Sequence, residues 1–161
     1  MTEPSRCALR TRQMEDVAEV GPIASTTGNR CEERLAAMDK VLAYLGAGIV
    51  AAWGVAHVVP TRAVLVGFGA ISPSNRRVLA QEWLAEAFTM WFVAAVVIVT
   101  AALGAPGAPL TTWLYRVSAL MLVAIGTLTA ATGGRTEIVW FKICPVVLAV
   151  VAGLWVTASL V

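Results

Sequence analysis

Apolar residues run almost unbroken through four stretches, 41–59, 83–103, 113–132 and 138–161, separated by short links rich in polar residues, glycine or proline. Each stretch is close to the ~20 residues that an α-helix needs to cross ~30 Å of hydrocarbon. A folded chain of 161 residues has no interior large enough to hide four such segments, whereas lipid can face most of their sides. The pattern therefore predicts an all-α membrane protein, a four-helix transmembrane bundle. Short links between successive spans make it up-down and antiparallel, with both termini on one side of the bilayer.

The polar positions set the boundaries. Residues 1–28 have no apolar periodicity and are expected to be a disordered polar tail, leaving 29–161 as the transmembrane domain. Across residues 1–40 there are six Lys/Arg and seven Asp/Glu, and the apolar core of a signal peptide is missing. Asn29, followed by Glu32 and Glu33, reads as a helix N-cap with an acidic first turn. Met38, just ahead of Asp39 and Lys40, offers a second start for the chain. Pro60 closes the first span, because proline disfavours helix at the residue before it.

Residues 61–71 are too apolar for an ordinary loop and too short to span, so an interfacial or re-entrant connector is expected there. Its Gly67-Phe68-Gly69 lacks the third glycine and the flanking strand of a phosphate-binding loop. Ser72 and Pro73 then form a strong helix start, cap and first-turn proline together. From there no breaker intervenes before Leu103, a run of about 46 Å at ~1.5 Å per residue. Its first turns should project beyond the hydrocarbon. Residues 104–109 read as a stiff turn, Thr111 as a cap for the third span, and Gly133-Gly134 as its end.

Two further patterns bear on packing. Gly48, Ala52 and Ala56 form a row of small residues on the first span, as do Ala47 and Ala51, and such rows let helices approach closely. Trp83, Trp113 and Trp140 stand near span ends, where an aromatic belt would lie. Composition agrees with a membrane location: the chain is 58% hydrophobic and 14% charged, with mean hydropathy +0.77, against about 25% charged in soluble domains. Ten of the twelve basic residues are arginine, a bias expected of a GC-rich bacterial genome. A net charge of +2 without a basic cluster argues against nucleic acid as a partner. Cys7, Cys31 and Cys144 form no close pair and have no histidine at ligand spacing, so neither a thiol–disulfide enzyme nor a metal site is expected. Positive charges near the spans are nearly balanced, Arg30, Arg34 and Lys40 against Arg62, Arg76, Arg77 and Arg135. The charged tail without a signal then favours a cytoplasmic N-terminus in the cell (inner) membrane.

Alternating helix directions bring His57, Arg62, Asn75, Arg76, Arg77, Glu82, Glu86, Thr129, Thr132, Arg135, Glu137 and Lys142 to one end of the bundle. Glu82, Glu86 and Thr89 share a face of the second span. A charge as deep as Glu86 or Lys142 costs several kcal/mol unless it is paired or snorkels. The two are expected to pair, with His57 at similar depth and a Pro145 kink opening the bundle beside them. The set His57, Glu82, Glu86 and Lys142 is the candidate polar pocket, with Arg76 and Arg77 as gate or ion-pair partners. A purely structural cluster is the competing reading, with Lys142 snorkelling and Glu86 held by Arg76 or Arg77. His57 is the only histidine, which excludes a haem with two axial histidines in one chain.

Asn75-Arg76-Arg77, followed by Glu82-Trp83-x-x-Glu86, resembles a recurring segment of small bacterial four-helix integral membrane proteins of unassigned function, broadly DoxX-like in architecture. Ala87 stands where those proteins usually have glycine. The resemblance spans about 57–103 and implies a similar bundle, with no activity attached. The residues themselves point to a multi-pass membrane protein with an accessory or lipid- or partner-binding role and no chemistry of its own. The alternative is a small membrane enzyme or carrier acting on a lipophilic ligand through a His57/Glu86 pocket. Membrane lipids, a lipophilic small molecule or another membrane protein are the expected partners, and no cofactor is implied.

Overall fold

The computed structural model describes residues 22–161, and side chains from residue 32 onward together with Arg30. The described residues form five helices and no strand: α1 Pro22–Val58, α2 Thr61–Gly67, α3 Pro73–Leu103, α4 Pro109–Gly133 and α5 Val139–Ala158. Four of them are long and apolar enough to cross a membrane, with mean hydropathies of 1.7, 2.0, 1.6 and 2.1 along the chain. Only between 28% and 39% of each span's most apolar window is buried by the protein itself. The remaining apolar surface faces outward, including Leu103, Leu110, Leu120 and Phe92. Water would not tolerate so much exposed apolar area, and lipid covers it at no cost. The chain is a multi-pass membrane protein.

Contacts divide the chain at Met38 and Asp39, inside α1, and the unit Asp39–Val161 holds the bundle. Pairings within it fix the antiparallel course. His57 at the end of α1 meets Glu86 midway along α3, Trp91 further along α3 reaches back to Ala51, and Ala43 still earlier on α1 meets Trp155 near the end of α5. The start of α4 meets the end of α5 through Arg116 Nε, which donates to Ser159 Oγ at 3.2 Å. The shared core consists of Met90, Val97, Leu122, Leu148, Val151 and Trp155, all fully buried, with Ala43, Ala47 and Val50 on α1. Gly126 of α4 faces Pro145 and Leu148 of α5, where an added Cβ would find ordinary contacts of 3.6 Å, and α5 remains one helix through Pro145.

Tryptophans fasten α1 to its neighbours. Trp155 Nε1 donates to the Ala43 carbonyl at 3.2 Å, and Trp91 Nε1 to that of Ala51 at 3.0 Å. Each indole lies over a glycine one turn further on, Gly46 and Gly54, where a Cβ would come to 2.5 Å from the indole nitrogen. Glycine here admits an aromatic ring to the helix backbone. The second small-residue set behaves differently. Ala47 is buried, but Gly48, Ala52 and Ala56 face outward, and a Cβ at Gly48 would meet nothing within 4 Å. Among the described residues, only Ala56 of that row borders residues of other helices, at the small void it lines with Trp83, Trp140 and Phe141.

Several boundaries differ from expectation. The first helix begins at Pro22 and runs through Asn29, so Asn29 is not its cap. Residues 22–28 of the expected tail are thus helical, and 1–21 lie outside the described residues. Residues 61–67 form a short exposed helix packed on α3, and the chain turns after it at Gly69 with φ of 69°. Ser72 caps α3 as expected, its hydroxyl accepting from Asn75 N at 3.2 Å, with Pro73 in the first turn. Thr111 caps nothing: α4 starts earlier, at Pro109, and Thr111 is buried inside its first turn. A proline with its φ already helical and no donor to lose starts the helix without a side-chain cap.

Candidate functional site

Pro60 decides where α1 stops and therefore where its last carbonyls go. Carbonyls in a final helical turn lack helical donors, and here two of them are met by side chains. Thr61 Oγ1 donates to the Val58 carbonyl at 2.6 Å, and Trp83 Nε1 donates to the His57 carbonyl at 2.6 Å. The second bond carries the Trp83 ring over the His57 imidazole, with centroids 4.3 Å apart and planes 17° from parallel. Phe141 of α5 also meets Trp83, edge-on at 5.9 Å. The imidazole is thus held at both its backbone and its ring face.

One helical turn beyond Trp83, Glu86 completes the arrangement. Its Oε2 lies 3.2 Å from His57 Nε2, while Oε1 is buried with no hydrogen-bond partner. The His57 side chain is 8% exposed and that of Glu86 25% exposed, so the pair sits at the edge of the bundle core with the carboxylate on the open side. A carboxylate in a low-dielectric setting gains much from one charge-assisted contact and loses much for each oxygen left unmatched. Behind the pair, the Cys144 thiol is fully buried beside Trp53 and Thr129, within electrostatic reach of Glu86. No group of three or more His, Cys, Asp and Glu converges among the described residues. The chemistry is organised around a pair.

Glu86 opens onto a groove of about 470 Å³ between α2, α3, α4 and the start of α5. Apolar walls come from Leu65, Phe68, Leu79, Met121 and Leu128, and the polar lining is Glu82, Glu86, Thr89, Thr129 and Thr132. On the other side of Trp83, His57 borders a void of only about 10 Å³, which holds one water at best. Trp83 and Phe141 separate the two spaces and line both. Any ligand larger than water therefore approaches from the Glu86 side.

The polar residues expected at this end divide into three groups. His57 and Glu86 touch. Glu82, exposed, joins Glu86 in the groove lining one turn toward the helix start. Lys142 does not take part: it is exposed, and the carboxylate expected to pair with it faces His57 instead. The reason is angular. Phe141 and Cys144 turn inward from α5, which leaves Lys142 on the outer side. Nor do Arg76 and Arg77 reach Glu86. Both are exposed, and Arg76 donates to the Gly69 carbonyl at 3.5 Å. They lie about ten residues, ~15 Å, further toward the helix start.

Sequence reasoning placed Trp83 in an interfacial belt, yet its indole is half-buried and bonded into the site, while Trp113 and Trp140 do face outward. Trp53 and Cys144 were not foreseen. Their only signal was position, an indole one turn before His57 and a thiol one turn before Leu148 on the inward face of α5. Ala87 is fully buried next to the pair, so a methyl fits where the resemblance anticipated glycine. Comparison with protein-family models, with curated proteins and with solved structures finds no match to the chain.

Proposed function

We propose that this protein binds a lipophilic molecule with a polar head, seating the head at Glu86 and the tail in the groove between α2, α3 and α4. One observation carries the reading: an apolar groove of about 470 Å³ has a carboxylate at its inner end, half-partnered and backed by a fixed histidine. Binding sites for small molecules combine mostly apolar walls with a few placed polar groups in this way. The role is binding or carriage, and His57 acts by holding Glu86 in place. Location in a bacterial inner membrane with a cytoplasmic N-terminus belongs to the same proposal, supported by the arginine-rich composition and the charged residues before the first span. A place among DoxX-like bundles likewise rests on Asn75-Arg76-Arg77 and Glu82-Trp83-x-x-Glu86. A partner-docking role has one observation in its favour, the outward row of Gly48, Ala52 and Ala56.

Native mass spectrometry of gently extracted protein tests the main reading. Wild type should retain a lipophilic molecule, and Leu128→Trp, which fills the groove from an exposed wall position, should release it while the fold persists. Wild type that emerges empty and shows no thermal shift with any of a lipid panel refutes it.

A further inference from the structure

Fifteen residues line the groove, and their charges are all of one sign. Glu82 and Glu86 are the only ionisable side chains among them, with no lysine, arginine or histidine. The bases at this end stand outside the lining: His57 is taken up by Glu86 and borders the opposite side of Trp83, and Arg62, Arg76, Arg77, Arg135 and Lys142 are exposed, with Arg76 reaching toward Gly69. A fatty-acid carboxylate or a phosphate head would enter beside two carboxylates with no cation to receive it, in a setting where water screens little. Electrostatics disfavour anionic heads in this groove.

The remaining lining is equally selective. Phe68, Trp83 and Phe141 contribute aromatic walls, and aromatic faces attract cations. Glu86 Oε1 has no donor in the protein, and rotation about the broad terminal torsion of glutamate carries an oxygen toward the groove. An N–H donor with positive charge answers both features at once. Thr129 and Thr132 already donate to the Ile125 and Leu128 carbonyls of their own helix, leaving their oxygens as acceptors for further N–H groups. Building on the groove-binding reading, we infer that the ligand is an amphiphile with a protonated amine head, which donates to Glu86 and has Glu82 as a second counter-charge at the groove mouth.

The test compares twelve-carbon chains carrying an amine, a hydroxyl or a carboxylate, each at equal mole fraction in phosphatidylcholine nanodiscs that hold the intact protein. Groove occupancy is the retained ligand in wild type minus that in Leu128→Trp. The amine should exceed the carboxylate by about tenfold or more, the scale of one charge-assisted hydrogen bond, and should also exceed the alcohol. Glu86→Gln should remove most of that preference while alcohol binding persists, and Glu82→Gln should reduce it by a smaller factor. If all three heads occupy the groove equally, or the carboxylate or alcohol is favoured, the groove reading stands and the amine assignment falls. An unchanged preference in Glu86→Gln also overturns the assignment. If no head is retained above the Leu128→Trp level, both readings fall.

Discussion

The bundle buries a polar pair near each end, and the two differ in what surrounds them. At one end His57 of α1 meets Glu86 of α3; at the other, Asp39 of α1 lies beside Tyr115 of α4. The positions are 18 residues apart on α1 (57 minus 39), about 27 Å along a helix and nearly the thickness of the hydrocarbon. Asp39 is 3% exposed and Tyr115 1% exposed, and neither lines the groove. Asp39 Oδ1 and the Tyr115 hydroxyl both lack a properly directed hydrogen bond, although the groups are adjacent. Around His57 and Glu86, by contrast, the carboxylate borders a groove large enough for a ligand. Burial of a polar pair is therefore a poor guide to function in this chain. Access separates the two, and access comes from α2, which continues the chain past Pro60 and forms one wall of the groove at the His57 end.

If the Asp39 end is a structural closure, damage there should act on stability and leave ligand retention alone. Tyr115→Ala empties a fully buried aromatic position and should cost about 3 kcal/mol or more, read as a marked fall in the thermal unfolding midpoint. Retained ligand per folded molecule should be unchanged. Loss of ligand from a protein that remains folded would mean that the two ends are coupled and the division drawn above is false.

A smaller effect is expected where indoles lie on glycines. Gly54→Ala places a methyl against Trp91 and Gly46→Ala places one against Trp155, and overpacking of this kind typically costs about 1–3 kcal/mol. Gly48→Ala, facing open space, should be neutral or slightly stabilising in isolated protein. Thermal unfolding of the three variants side by side checks the contrast. A destabilising Gly48→Ala would place another helix on the outward face.

The finest comparison concerns partners of Glu86. In a double-mutant cycle, Glu86→Gln with His57→Leu should show a coupling of about 1 kcal/mol or more, since the groups touch. The cycle of Glu86→Gln with Lys142→Met should be additive within about 0.5 kcal/mol. Coupling to Lys142 with additivity at His57 would reverse the assignment of the pair.

Much of the fold was legible along the chain. Ser72-Pro73, Pro60 and Gly133-Gly134 mark helix ends through backbone chemistry that acts within a few residues, and they marked them correctly. The start of α1 was read too late because a capping pattern at Asn29 is only a local preference, and helix already formed from Pro22 passes through it. At the candidate site the sequence supplied the residue types and the shared end of the bundle but not the pairing. Depth and opposite charge pointed to Lys142 as the partner of Glu86, with His57 only at similar depth, and the partner that packing supplies is His57.

Depth and composition are properties of the linear chain: 1.5 Å per residue and the cost of charge in hydrocarbon determine that four helices span and that few polar residues lie within them. Rotation about each helix axis is set only when neighbours pack, and it decides everything at the site. It turns Lys142 outward and Cys144 inward, brings Trp83 from an expected interfacial belt onto His57, and leaves one glutamate oxygen bonded and the other without a donor. Packing angles depend on contacts between residues far apart in sequence, such as Trp155 on Gly46 and Trp91 on Gly54, and those contacts exist only once the helices have come together.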